Sequence, residues 1–67
     1  MMTTEQAIRT LHRRAAYLTR RIEEVAAESE RRPVTGLLID AEANQLAISA
    51  LEYLDAVQKY EASQKQQ

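Results

Sequence analysis

The sequence predicts an all-α protein, an antiparallel two-helix hairpin that self-associates into a helical bundle. Apolar residues return every three or four positions through both halves of the chain, the spacing of a helix face. The strong helix breakers sit in one place, where the single proline, Pro33, and the single glycine, Gly36, fall close together. The composition is rich in Ala, Leu, Glu, Arg and Gln, with three tyrosines, no tryptophan and no cysteine. Such a chain suits helices rather than a sandwich or barrel, and 67 residues make one small domain.

The first helix is expected over about residues 4–31. Thr3 and Gln6 have the spacing of a capping box, and Glu5 sits in the first turn, where the helix dipole favours an anion. Pro33 cannot continue a helix and pushes Arg32 toward extended backbone, so the helix should stop by about Arg31. Between these limits Ile8, Leu11, Ala15, Leu18, Ile22 and Val25 form one a/d heptad stripe, the width of a single packing seam.

A turn is expected over about residues 32–37 and the second helix over about 38–62. Two caps for this helix stay open: Asp40, or Thr35 with Val34 and Ile39 as a hydrophobic staple. The run from Val34 to Ile39 is apolar for a connection. It is either the first turn of the helix or an exposed anchor for another chain.

In the second helix the apolar residues cover more of the circumference. Ile39, Ala43, Leu46, Ala50, Tyr53, Val57 and Tyr60 form one heptad line, with Ala47, Leu51 and Leu54 beside it. One partner helix cannot cover both lines. Self-association through Ala47, Leu51, Leu54, Tyr53 and Tyr60 is therefore expected, with Leu18 and Leu54 buried between the two helices of the hairpin. A small domain with no disulfide to stabilise it points the same way. The tail, residues 63–67, has no apolar anchor and should fray.

Several function classes are excluded or disfavoured. Without cysteine there is no thiol nucleophile or zinc-thiolate site, and one glycine cannot make a phosphate-cradling loop. The single histidine, His12, lacks the Glu-x-x-His spacing of a bundle metal site, because Arg9 stands three residues before it. No serine sits in a nucleophile elbow that would pair with it. The expectation is a non-enzymatic protein with no cofactor and no metal. No basic stretch leads into an apolar one, and the longest aliphatic run is Leu37-Leu38-Ile39. Neither a signal peptide nor a membrane span is expected, which suggests a cytoplasmic protein.

The most pointed feature is charge segregation. From Arg9 to Arg21 there are five arginines and no acid, +5 in a chain whose net charge is −1, so the remainder sums to −6. Arg9, Arg13 and Arg20 lie roughly opposite the seam, Arg14 and Arg21 lie on its flank, and Tyr17 lies on the basic side. Two readings stand side by side. This is a face for a carboxylate or phosphate partner, which arginine grips in bidentate fashion, or it is a solvated face partly paired with acids. A hairpin turning near residue 35 would bring Arg14 near Asp55 and Leu18 near Glu52. Along the first helix itself, Glu5 would pair with Arg9, and Arg20 with Glu23 or Glu24.

The pattern Glu5-Gln6-Ala7-Ile8…Leu11…Arg13-Arg14…Tyr17-Leu18…Arg21-Ile22, followed by Asp40-Ala41-Glu42-Ala43…Leu46-Ala47-Ile48…Ala50-Leu51, resembles small helical-hairpin proteins of bacteriophage genomes. The resemblance covers most of the chain. It implies an accessory protein in the host cytoplasm that binds and modulates a host protein. Some small phage helical hairpins oligomerise and sequester cyclic nucleotides, and the alternative follows that line: an oligomer that takes an anionic nucleotide or nucleic acid on Arg9, Arg13, Arg14, Tyr17, Arg20 and Arg21.

Overall fold

The computed structural model describes residues 1–28 and 33–65. They form two helices, α1 (Thr4–Glu28) and α2 (Thr35–Lys65), packed side by side in a rod of 59 × 17 × 15 Å. The helices run antiparallel. Thr4 and Glu5 at the start of α1 meet Gln58 and Lys59 near the end of α2, while Leu11 meets Asn44. The protein is an all-α helical hairpin.

The start of α1 is the expected capping box. The Gln6 amide donates to Thr3 Oγ1 at 3.1 Å, and the Thr3 amide donates back to Gln6 Oε1 at 2.9 Å. Two of the backbone N–H groups that every helix start leaves free are thereby satisfied. Farther along, Thr10 turns its hydroxyl back onto the Gln6 carbonyl at 2.8 Å, which satisfies a polar group inside the helix.

The start of α2 differs from both caps expected for it. Val34 takes the cap position, its carbonyl accepting from the Leu38 amide at 2.9 Å. Thr35 and Gly36 are already helical, so α2 begins three residues before the expected position 38. A valine side chain has no acceptor, so the cap geometry comes from the backbone after Pro33 alone. The apolar run is thus the first turn of the helix, with Leu37 half-buried and Leu38 and Ile39 exposed. At the other end α2 continues through Lys65, so residues 63–65 are helical where fraying was expected. The last expected turn of α1, residues 29–31, and the end of the tail lie outside the described residues.

The α1 stripe packs as its spacing predicts. Leu18 and Val25 are buried, and Ile8, Leu11, Ala15 and Ile22 are half-buried. The partner stripe on α2 is a different one from those expected. Leu37, Ala41, Asn44, Ile48, Leu51 and Asp55 face α1, at spacings of 4, 3, 4, 3 and 4. Among the described residues Ile48 is the most buried, at 0% exposure, and Leu54, expected beside Leu18, is 43% exposed. The register differs as well. The facing pairs sum to 55, 62 and 64 rather than about 70. The reason is that the bend lies between Glu28 and Thr35, ahead of Gly36 rather than around it.

Two polar residues sit in this seam. Asn44 is buried and donates from Nδ2 to the Leu11 carbonyl at 2.9 Å, so it carries no unsatisfied group into the interior. Such a bond is made in only one register and selects it against sliding by a turn. Asp55 closes the far end of the seam. Lys59 Nζ lies 2.9 Å from its carboxylate and 3.5 Å from that of Glu5 on α1. The carboxylates, Asp55 foremost through its hydrogen bond, raise the Lys59 pKa above its ordinary value.

Candidate interaction surfaces

Because the inner stripe of α2 is built from positions 37 to 55, the heptad line beginning at Ile39 is carried to the other side. Residues two apart on a helix are about 200° apart around its axis, so Leu46 and Ala50 point nearly opposite to Ile48. The line from Ile39 to Tyr60 is therefore an apolar stripe facing away from α1. Its large side chains are open: Leu46 is 67% exposed and Tyr53 74%, with Ile39 and Tyr60 close behind. Leu54 extends the stripe on one flank.

The residues expected to mediate self-association divide accordingly. Tyr53, Tyr60 and Leu54 lie on this outer surface. Leu51 is drawn into the seam with α1, and Ala47 is half-buried at its edge. Ile48 and Asn44, the centre of the seam, carried no expectation. The signal was present in the 4-3-4-3-4 spacing from Leu37, but Asn44 and Asp55 interrupt its apolar character.

The second surface is the arginine face of α1. Arg9, Arg13, Arg14 and Arg20 are exposed, and among the described residues they make no ion pair. Three of the partners expected for them, Asp55, Glu5 and Glu24, are engaged elsewhere. Asp55, expected beside Arg14, is carried toward the start of α1 by the register shift and pairs with Lys59 one turn along its own helix. Glu5 turns to Lys59 rather than Arg9. Glu24 takes Arg21, one turn before it at 3.3 Å, rather than Arg20. Arg21 is thus half-buried and paired, and the open face consists of Arg9, Arg13 and Arg20 with Tyr17, half-exposed, beside them. Exposed arginines next to an aromatic ring suit a planar anion, a nucleic-acid strand or an acidic protein surface.

His12 is exposed, and among the described residues no three His, Asp or Glu side chains gather as metal ligands. Among the described residues no helix is long and apolar enough to cross a membrane. No known protein family, curated protein or solved structure matches the chain, so what its surfaces bind has to be argued from their own chemistry.

Proposed function

We propose that the chain is a non-enzymatic protein-interaction module whose working surface is the outer stripe of α2. One observation carries this reading: Ile39, Leu46, Tyr53 and Tyr60, all at least 60% exposed, fall on a single line of one helix. Scattered exposed apolar residues are ordinary, but a contiguous line of them marks a surface that another protein covers. Tyrosine is enriched in such surfaces, since its ring is apolar and its hydroxyl tolerates water at the rim. The likeness to bacteriophage helical hairpins makes a host cytoplasmic protein the first class of outside partner to test.

The unpaired arginines of α1 support a second reading, capture of an anionic nucleotide or nucleic acid by Arg9, Arg13, Arg14 and Arg20 with Tyr17. Two double variants separate the readings. Leu46→Glu/Tyr53→Glu charges the outer stripe, and Arg13→Glu/Arg20→Glu reverses the arginine face. Neither pair touches the seam, so helicity should be retained in both. If the apolar stripe is the working surface, association with protein is lost in the first variant and kept in the second. Loss confined to the arginine variant, together with binding that weakens steeply with salt, would favour the anion reading instead.

A further inference from the structure

We propose that the occupant of the outer stripe is a second copy of the chain, docked antiparallel so that the two α2 helices form the centre of the dimer. This rests on the stripe being the working surface and names what covers it. The first ground is surface. The chain exposes 5572 Å², whereas a compact monomer of 7.6 kDa exposes about 4,300 Å² by the usual scaling with mass. The stripe, with two tyrosines, two leucines and an isoleucine largely open, offers on the order of 700 Å² per copy. Two copies then remove roughly 1,400 Å², within the range of stable specific interfaces.

The second ground is the order of side-chain sizes along the stripe. Run antiparallel, Ala43 of one copy faces Tyr60 of the other, Leu46 faces Val57, and Ala50 faces Tyr53. Each alanine receives a tyrosine, and the two mid-sized residues meet each other, so these three kinds of layer have similar volumes, while at each end Ile39 faces the flexible Gln64. A parallel pair would stack tyrosine on tyrosine and alanine on alanine, leaving layers alternately overfilled and empty. The third ground is charge. Beside the middle of the stripe stand Ala47, Ser49, Leu54 and Ala56, none of them charged, so nothing there repels an identical helix. The acids that flank it, Asp40, Glu42 and Glu61, fall toward the ends, where solvent screens the repulsion between Asp40 of one copy and Glu61 of the other.

The two apolar stripes of α2 lie nearly opposite, so the dimer is a row of four helices with the two α2 helices in the middle and an α1 at each edge. Arg9, Arg13 and Arg20 then face outward on both edges, free for a partner of another kind.

The chain has no cysteine of its own, which gives a clean background for cross-linking. Ala43→Cys and Tyr60→Cys variants should each stay uncross-linked alone under mild oxidation and should form a mixed disulfide when combined. In the antiparallel dimer the two Ala43 positions are about 25 Å apart along the axis. Light scattering at micromolar concentration should give the mass of two chains, unchanged or tighter at high salt. Leu46→Glu and, separately, Tyr53→Glu should each reduce it to one chain. Cross-linking of Ala43→Cys with itself would overturn the antiparallel arrangement. A one-chain mass for the fully helical wild type would overturn the second copy as occupant while leaving the stripe open to an outside protein. A two-chain mass that survives both glutamate variants would remove the stripe itself as the working surface.

Discussion

The two helices share a vocabulary of residues and use it differently. α1 is apolar along one stripe and charged elsewhere, so a single neighbour satisfies it. α2 carries apolar residues around most of its circumference, and the hairpin covers only one side of it. A helix of the first kind is a surface element; one of the second kind belongs in the interior of something. The hairpin therefore leaves its more apolar helix half-covered, with the open half on the side farthest from α1. The helix starts differ in the same sense, since α1 is held by a reciprocal side-chain cap and α2 by backbone alone.

The sharpest way to test this contrast is to truncate α2 on either side. Ile48→Ala removes the most buried side chain and should cost about 2–5 kcal/mol in urea unfolding, enough to unfold a small hairpin. Leu46→Ala, two residues away, should cost less than about 0.5 kcal/mol when measured at a dilution where the chain is monomeric. The same cost for both under those conditions would mean that α2 is covered on both sides within one chain. A larger cost at Leu46 would put the seam on the stripe that begins at Ile39.

This asymmetry also explains what could be read from the sequence. The seam of α1, from Ile8 to Val25, was legible because every position in it is apolar and nothing competes with it on the other faces. The capping box at Thr3 and Gln6 was legible because it is local. On α2 two heptad lines compete, and the wholly apolar one is the more conspicuous; yet α1 packs on the line containing Asn44 and Asp55. The polarity of Asn44 is resolved only by a tertiary partner, the Leu11 carbonyl, which spacing along one helix does not show. Asp55 has a local partner in Lys59, one turn farther along α2, but that pairing does not reveal which side of α2 meets α1. The one ion pair expected across the hairpin, Arg14 with Asp55, failed for a related reason: it depended on the register, which a bend ahead of Gly36 moves. The pairs expected within α1 were lost to competing partners, Lys59 for Glu5 and Arg21 for Glu24.

The helix starts provide the next test. Thr3→Ala removes the hydroxyl that accepts from the Gln6 amide and should cost about 1 kcal/mol. Gly36 offers the opposite opportunity at the start of α2. It is helical without a positive φ, and a Cβ built there meets nothing within 4 Å, so no close contact requires a glycine. Gly36→Ala should stabilise the hairpin by about 0.5–1 kcal/mol, chiefly by restricting the unfolded chain. A rise in the thermal midpoint for Gly36→Ala beside a fall for Thr3→Ala would place the strength of α1 and the weakness of α2 at their first turns. A fall in both would mean that the start of α2 relies on glycine in a way its backbone geometry does not require.

The smallest expected effect lies where the helices meet at the far end. Lys59 joins Asp55 on its own helix to Glu5 on α1, and it is exposed, so its pairing is screened by water and salt. Its pKa is raised in the folded chain, mainly by the hydrogen bond and charge of Asp55, with a lesser contribution from Glu5. A lysine that binds its proton more tightly when folded stabilises the fold while it is protonated in both states. That contribution is fully present below the ordinary lysine value of 10.5 and is lost as pH rises through the higher folded value. Lys59→Gln should therefore melt slightly below the wild type at neutral pH, and the two curves should converge only in strongly alkaline solution. Convergence already near neutral pH would require the lysine to bind its proton less tightly in the folded chain, the opposite of what two neighbouring carboxylates impose. A difference that persisted unchanged at alkaline pH would trace the effect to packing of the side-chain stem rather than to its charge.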